Sequence, residues 1–96
     1  MEIDEILQNK REEILRVAAR HGVKNVRVFG SALHGKARPD SDIDFLVDVE
    51  PEYSLFDVGG LLMDLQALLG RNVDVVTENG LHWYIRDQVL AEAKRL

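Results

Sequence analysis

The sequence has no cysteine, and this absence excludes disulfide bonds, thiolate zinc sites and a cysteine nucleophile. It also lacks any apolar run that approaches the roughly 20 residues needed to span a bilayer. The acidic segment from Met1 to Glu5 has no apolar core of the kind that a signal peptide needs. We therefore expect no membrane partner, and the missing cysteine fits a cytoplasmic location.

Basic residues are too scattered for a nucleic-acid-binding face. Twelve lysines and arginines stand against 17 aspartates and glutamates, which gives a formal net charge of −5. A protein that binds a long nucleic acid needs lysine or arginine at each phosphate contact, so we expect no such partner. Clustered carboxylates indicate a different use of the negative charge, which is to bind a divalent cation.

The remaining composition is typical of a folded globular chain. Apolar residues make up 46% and charged residues 30% of the 96 residues. This length and this balance predict a single domain over residues 1–96 with a modest hydrophobic core. Such a domain has no room for a separate acceptor-binding unit, so an acceptor site is expected to come from a homo- or hetero-oligomer.

The spacing of apolar residues predicts the helices. Apolar residues at helical intervals predict helices over about 3–21, from Ser54 to Gly70, and from Leu81 to about Arg95. The second of these begins with the pattern of a capping box, from Ser54 to Asp57. A short helical turn is also predicted directly after Gly30.

Alternating apolar and β-branched residues predict the strands. They cover residues 25–29, 43–49 and 73–76. Taken with the helices, they predict an α/β (α+β) fold in which a small mixed three-stranded sheet packs with about four helices.

Three aspartates in this pattern indicate a metal site. Asp42 and Asp44 lie two residues apart at the start of a strand, so their side chains share one face. Two neighbouring carboxylates repel each other unless a cation lies between them, and magnesium prefers oxygen ligands. Asp74 stands alone among valines on the third strand, where a carboxylate is costly unless it is paired or bound to metal. If the second and third strands are neighbours, Asp74 can reach the same metal cluster.

The pair Gly30-Ser31 lies where the first strand ends and a helical turn is predicted. Without a Cβ, Gly30 would let a phosphate approach the backbone closely. Ser31 could cap the turn, and backbone N–H groups at the start of a helix bind anions. We therefore expect a phosphate to lie next to the strand that holds its metal ion.

Other acidic motifs fit the sequence poorly. Asp40, Asp42 and Asp44 match the first positions of an EF-hand loop, but Phe45 and Pro51 occupy its obligatory Gly and Glu positions. Phosphatases of the haloacid dehalogenase type also use Asp-x-Asp. In those enzymes the apolar strand precedes the motif, whereas here it follows.

The spaced motif resembles a known family. Gly30-Ser31, ten residues and then Asp42-Ile43-Asp44 is similar to the signature of the DNA polymerase β-like nucleotidyltransferase superfamily. The residues of the motif resemble those of the minimal nucleotidyltransferase (MNT) branch of this superfamily. The resemblance extends over nearly the whole chain. The resemblance implies that Asp42, Asp44 and Asp74 bind two Mg²⁺ ions. It also implies that Gly30 and Ser31 hold the phosphates of the substrate ATP.

The chain departs from many of these relatives in the loop after the Gly-Ser pair. Where they carry arginines, it has Ala32, Leu33 and His34. Lys36 or Arg38 could supply the missing positive charge for the phosphates.

The resemblance also implies a reaction and a partner. MNT proteins are commonly paired with helical HEPN toxins, so the implied reaction is transfer of AMP from ATP to a toxin tyrosine. The chain would then act as a type VII-like antitoxin. The alternative is a non-catalytic antitoxin that neutralises its partner by binding alone. Transfer to a small molecule is a third option, but the enzymes that do so use additional domains.

Overall fold

The computed structural model describes residues 3–30 and 42–96. The chain begins with helix α1, Ile3–Arg20, which buries its apolar stripe of Leu7, Ile14 and Ala18. Gly22 follows with a left-handed φ of 71°. A Cβ at this position would overlap the ring of Tyr53, so both the turn and its packing require glycine.

Four strands of the described residues form one mixed sheet. They are β1, Val23–Phe29, β2, Ile43–Val49, β3, Val73–Thr77, and the short β4, Lys94–Arg95. Their order across the sheet is β3-β2-β1-β4. Strands β2 and β3 are parallel, whereas β1 runs antiparallel to both β2 and β4.

Helix α2, Leu55–Leu69, connects the two parallel strands and has well-formed ends. The predicted capping box is confirmed, since the Ser54 hydroxyl accepts a hydrogen bond from the backbone of Phe56 and the Ser54 backbone N–H donates to Asp57. Gly70 ends the helix with a left-handed φ of 67°. A 3₁₀ turn, Glu78–Gly80, and helix α3, Trp83–Glu92, follow β3.

The hydrophobic core lies between one face of the sheet and helices α1 and α2. On β2, Ile43, Phe45 and Val47 point into it and are at most 1% exposed. Because side chains alternate along a strand, Asp44 and Asp48 belong to the opposite face. That opposite face carries the candidate site.

The sequence-based prediction of the fold class is confirmed, but the number of strands is wrong. The last helix was expected to continue to about Arg95, yet α3 ends at Glu92 and β4 follows it. Lys94 and Arg95 pair with β1, and the backbone N–H of Leu96 donates to the carbonyl of Val26 at 3.0 Å. These bonds to a strand edge replace the hydrogen bonds of another helical turn.

Two further expectations concern other parts of the chain. The helical turn after Gly30 falls in residues 31–41, which lie outside the described residues. Within the ranges that are described, no helix is both long enough and apolar enough to cross a membrane.

Candidate active site

Two parallel strands place Asp44 and Asp74 side by side. The two residues are direct partners in the β2–β3 register. Partners in adjacent strands point to the same face of a sheet, so both carboxylates lie on the face opposite the core. Asp42 is two residues before Asp44, and the alternation of the chain puts its side chain on that face as well. The structure therefore brings together the three aspartates singled out from the sequence.

Asp44 is the least solvated of the three carboxylates and is affected by the charges of the other two. Burial, together with the charges of Asp74 and then Asp42, raises the pKa of Asp44 from 3.8 to about 6. Asp42 and Asp74 are exposed, whereas Asp44 is partly buried. The site thus concentrates negative charge around its least solvated carboxylate.

Asp42, Asp44 and Asp74 gather three negative charges at one end of strands β2 and β3. Asp48 on the same face of β2 is different, because it accepts hydrogen bonds from Arg27 at 3.1 Å and from Asn25 at 2.9 Å. Pairing of this kind compensates the charge of a partly buried carboxylate, whereas carboxylates that lie close together repel each other unless a cation is bound between them.

Gly30 ends β1 directly beside Asp44. It has a left-handed φ of 78°, and a Cβ on it would overlap the Oδ2 atom of the Asp44 carboxylate. Phe29, the residue before it, is the register partner of Asp44 in β2. The sequence analysis interprets the missing Cβ of Gly30 as space for a phosphate. In the structure, the missing Cβ also makes room for the Asp44 carboxylate. Ser31, the other predicted phosphate-binding residue, lies outside the described residues.

The donor set of the cluster fits magnesium in its chemistry. It consists of carboxylate oxygens only, which are the ligands that this hard cation prefers. Within residues 3–30 and 42–96, no three acidic or histidine side chains are placed so that they would hold an ion by themselves. Magnesium is usually held by one or two carboxylates and completes its shell with water and substrate phosphates. Asp44 with one neighbouring carboxylate meets that requirement.

Sequence reasoning missed Arg27 on the same face of the sheet. Its side chain is 12% exposed and donates to Asp48 and to Glu78, each at 3.1 Å. Glu78 also lies 3.9 Å from Arg86 on α3. Arg27 therefore links β1, β2 and the 3₁₀ turn on this face of the sheet. The available clue was a charged residue between two valines of a predicted strand.

Comparison with known proteins shows the family to which the chain is similar. The family of the nucleotidyltransferase domain matches residues 10–96. The protein adenylyltransferase MntA of Thermococcus cleftensis is 42% identical over 91 residues, which cover 95% of this chain and 89% of that protein.

Solved structures show the same fold. One is described as a minimal nucleotidyltransferase; it is 49% identical, has a TM-score of 0.86 and is matched over 96% of this chain and 94% of its own. Another is a toxin–antitoxin complex with AMP-PNP, in which the matching chain has a TM-score of 0.73 at 22% identity. That match covers 88% of this chain and 69% of the other. At this identity the second match shows the fold alone.

Proposed function

Because this chain belongs to the nucleotidyltransferase domain family and is a nucleotidyltransferase, we propose that it transfers AMP from ATP to a hydroxyl group of a partner protein. The observation that carries the proposal is the cluster of Asp42, Asp44 and Asp74 beside Gly30. The relative from Thermococcus cleftensis is a protein adenylyltransferase, which supports a protein as the acceptor.

The three aspartates would hold two Mg²⁺ ions, which supply charge neutralisation for the triphosphate and activation of the acceptor hydroxyl when bound. Asp74 is exposed on the edge strand β3, where an acceptor can reach it, and it takes the proton from the acceptor hydroxyl. A bond forms between the acceptor oxygen and the α-phosphorus while the bond from that phosphorus to the leaving oxygen breaks. Pyrophosphate leaves, and AMP remains on the acceptor.

The partner is a toxin protein of the HEPN class, and the acceptor is one of its tyrosines. Support comes from the family resemblance and from the similar chain found in a toxin–antitoxin complex with an ATP analogue. The surface of α3 also favours a protein contact, since Trp83 and Tyr84 are 81% and 66% exposed. Exposed aromatic residues are enriched where proteins bind each other.

The reaction is tested with ATP labelled on the α-phosphate, Mg²⁺ and the candidate toxin. Label should appear on the toxin with the wild-type chain. Asp44→Asn and Asp42→Asn should lower the rate at least about 100-fold, because each removes a carboxylate that would hold the metal ions and, through them, the triphosphate. Glu12→Gln is the matched control, since Glu12 is an exposed carboxylate on α1, away from both the site and α3, and its loss should leave the rate unchanged. Full labelling by Asp44→Asn would contradict the proposal.

The exposed Trp83 and Tyr84 favour a second candidate, an antitoxin that masks its partner by contact alone. The same variants separate the two functions. If Asp42→Asn and Asp44→Asn still neutralise the toxin without labelling it, binding is the function. If neutralisation is lost together with the label, transfer of AMP is the function.

A further inference from the structure

The first two turns of helix α3 stand clear of the rest of the chain. Every residue from 82 to 88 is exposed, and Val89 is the one buried residue of the helix. The 3₁₀ turn before the helix buries none of its residues. A surface helix normally buries an apolar stripe against the body of its domain. The start of α3 is therefore held only weakly by hydrophobic packing.

The start of α3 also has no local side-chain cap. His82 occupies the N-cap position, but its side chain makes no capping hydrogen bond. Serine, threonine, aspartate and asparagine are the residues that cap a helix well. The backbone N–H groups of Ile85 and Arg86 both donate to the carbonyl of His82 at 3.1 Å, so the helix is continuous from its first turn. The direction in which it leaves the 3₁₀ turn is therefore set by contacts with other parts of the chain.

One carboxylate bridges the start of α3 to the sheet. The Oε2 atom of Glu78 lies 3.9 Å from the Nη2 atom of Arg86 on α3. The Oε1 atom of the same side chain accepts a hydrogen bond from Arg27 of β1 at 3.1 Å. Among the residues that the structure describes, the pair with Glu78 is the only polar side-chain contact that residues 82–88 make outside α3. Glu78 thus provides the connection that hydrophobic packing does not.

The two halves of this bridge differ in strength. The inner half is firm, because the Arg27 side chain is 12% exposed and also donates to Asp48 at 3.1 Å. The outer half joins two more exposed side chains, Arg86 at 47% and Glu78 at 36%. An exposed ion pair contributes little to the stability of a fold. A small energy is nevertheless enough to set the direction of a helix end that packing leaves free.

From these contacts we propose that Glu78 is a positioning residue for the acceptor protein. Its carboxylate bridges Arg27 and Arg86 and so fixes the direction in which α3 starts. The exposed Trp83 and Tyr84 on that start then keep a set position relative to the sheet. The inference rests on the proposed function, in which a protein that contacts these aromatic side chains supplies the acceptor hydroxyl.

The bridge lies on the same face of the sheet as the aspartate cluster. Asp48, which also binds Arg27, follows Asp44 by four residues on β2, and four residues of a strand span about 13 Å. A protein bound to the start of α3 can therefore reach Asp44 with one of its hydroxyl groups. Its apparent affinity is highest when the surface that it binds is already in the competent conformation. Loss of the bridge should thus weaken binding of the acceptor and leave the chemistry intact.

The bridge is tested first without nucleotide or toxin, by backbone NMR order parameters. Residues 83–88 of the wild-type chain should have values close to those of the strands, about 0.85, and in Glu78→Ala they should fall toward about 0.6 while the strands keep theirs. Arg86→Ala breaks only the outer half of the bridge and should also lower the values of this segment. Glu50→Ala is the matched control, because Glu50 is 38% exposed and pairs with Lys24 at 3.5 Å rather than with α3. Unchanged values in either variant overturn the proposal, so Arg86→Ala decides by itself if Glu78→Ala does not fold.

The positioning role is tested by the kinetics of AMP transfer to the toxin. Glu78→Ala should raise the KM for the toxin at least about fivefold and keep kcat and the KM for ATP within about twofold of the wild type. Glu50→Ala should keep all three constants. An unchanged KM for the toxin in Glu78→Ala overturns the positioning role. If the wild-type chain labels no toxin, the proposed function fails and the positioning role falls with it, whereas the order parameters still decide whether Glu78 holds α3.

Discussion

Among single residues, Asp44 shows that the stability of the fold and the chemistry of the site make opposite demands. Its pKa is raised from 3.8 to about 6 by burial and by the charges of Asp74 and Asp42. The folded chain therefore binds a proton at Asp44 more tightly than the unfolded chain does. The stabilisation from this group is complete below about pH 4 and is lost as the pH rises through about 6.

We predict that Asp44→Asn is more stable than the wild type at pH 7.5. The amide has no charge to desolvate or repel, and the gain should be about 1 kcal/mol once solvent screening of this half-buried group is allowed for. At pH 4 the wild-type carboxyl is largely protonated, so the gain should shrink. Urea unfolding at pH 7.5 and at pH 4 measures the gain in stability at each pH, with Asp87→Asn as the control. A loss of stability at pH 7.5 would contradict the electrostatic account of Asp44.

Gly30 is a second residue whose role can be isolated. Gly30→Ala should cost about 1–3 kcal/mol in the free energy of unfolding, since alanine is strained at positive φ and its Cβ would overlap the Asp44 carboxylate. It should also lower AMP transfer by displacing Asp44. The control is Gly70→Ala, which has the same kind of φ but nothing within 4 Å of the added Cβ. Gly70→Ala should lose stability and keep its activity, and equal activity in both variants would disprove the contact argument.

At the scale of secondary-structure elements, adjacent glycines in α2 have different neighbours. Gly59→Ala should raise the stability by up to about 1 kcal/mol, because alanine is the better helix former and the site has space. Gly60→Ala should gain less or nothing, because its Cβ would press on the ring of His21. Thermal unfolding of the two variants at the same protein concentration compares the two gains. An equal gain in both would show that His21 moves aside freely.

Arg27 joins three secondary-structure elements, so its replacement should lower the stability of the fold. Arg27→Ala removes the partner of Asp48 and Glu78, leaving two partly buried carboxylates with less compensation. The expected loss is roughly 2–3 kcal/mol. Lys24→Ala is the control, because Lys24 is 59% exposed in its pair with Glu50 and such surface pairs contribute about 1 kcal/mol or less. Chemical denaturation of both variants should separate them clearly, and similar losses would argue against a special role for Arg27.

For the whole molecule, binding of the metal and the nucleotide should be coupled to stability. A cation relieves the repulsion around Asp44, so Mg²⁺ together with a non-hydrolysable ATP analogue should raise the Tm of the wild-type chain. At about 100 times the dissociation constant the gain is about 2.7 kcal/mol. Asp44→Asn should show a much smaller rise at the same ligand concentrations. A rise of the same size in that variant would place the ligand somewhere else.

The local sequence by itself determined the elements whose ends and faces depend on neighbouring residues. Ser54 and Gly70 bound α2 because capping and left-handed turns act within a few residues. The alternation of β2 assigned Ile43 to the core and Asp44 to the other face. The spacing of Asp42 and Asp44 gave two of the three carboxylates of the candidate site for the same reason.

Only the tertiary structure decided the contacts between distant segments. The pairing of Asp44 with Asp74 depends on β2 and β3 being parallel and in one particular register. Strand β4 follows a helix without any local β pattern and exists because β1 offers it an open edge. The burial of Arg27 likewise depends on Glu78, which lies 51 residues away along the chain. A short-range pattern specifies a face or an end, whereas partners this far apart are chosen by the packing of the whole chain.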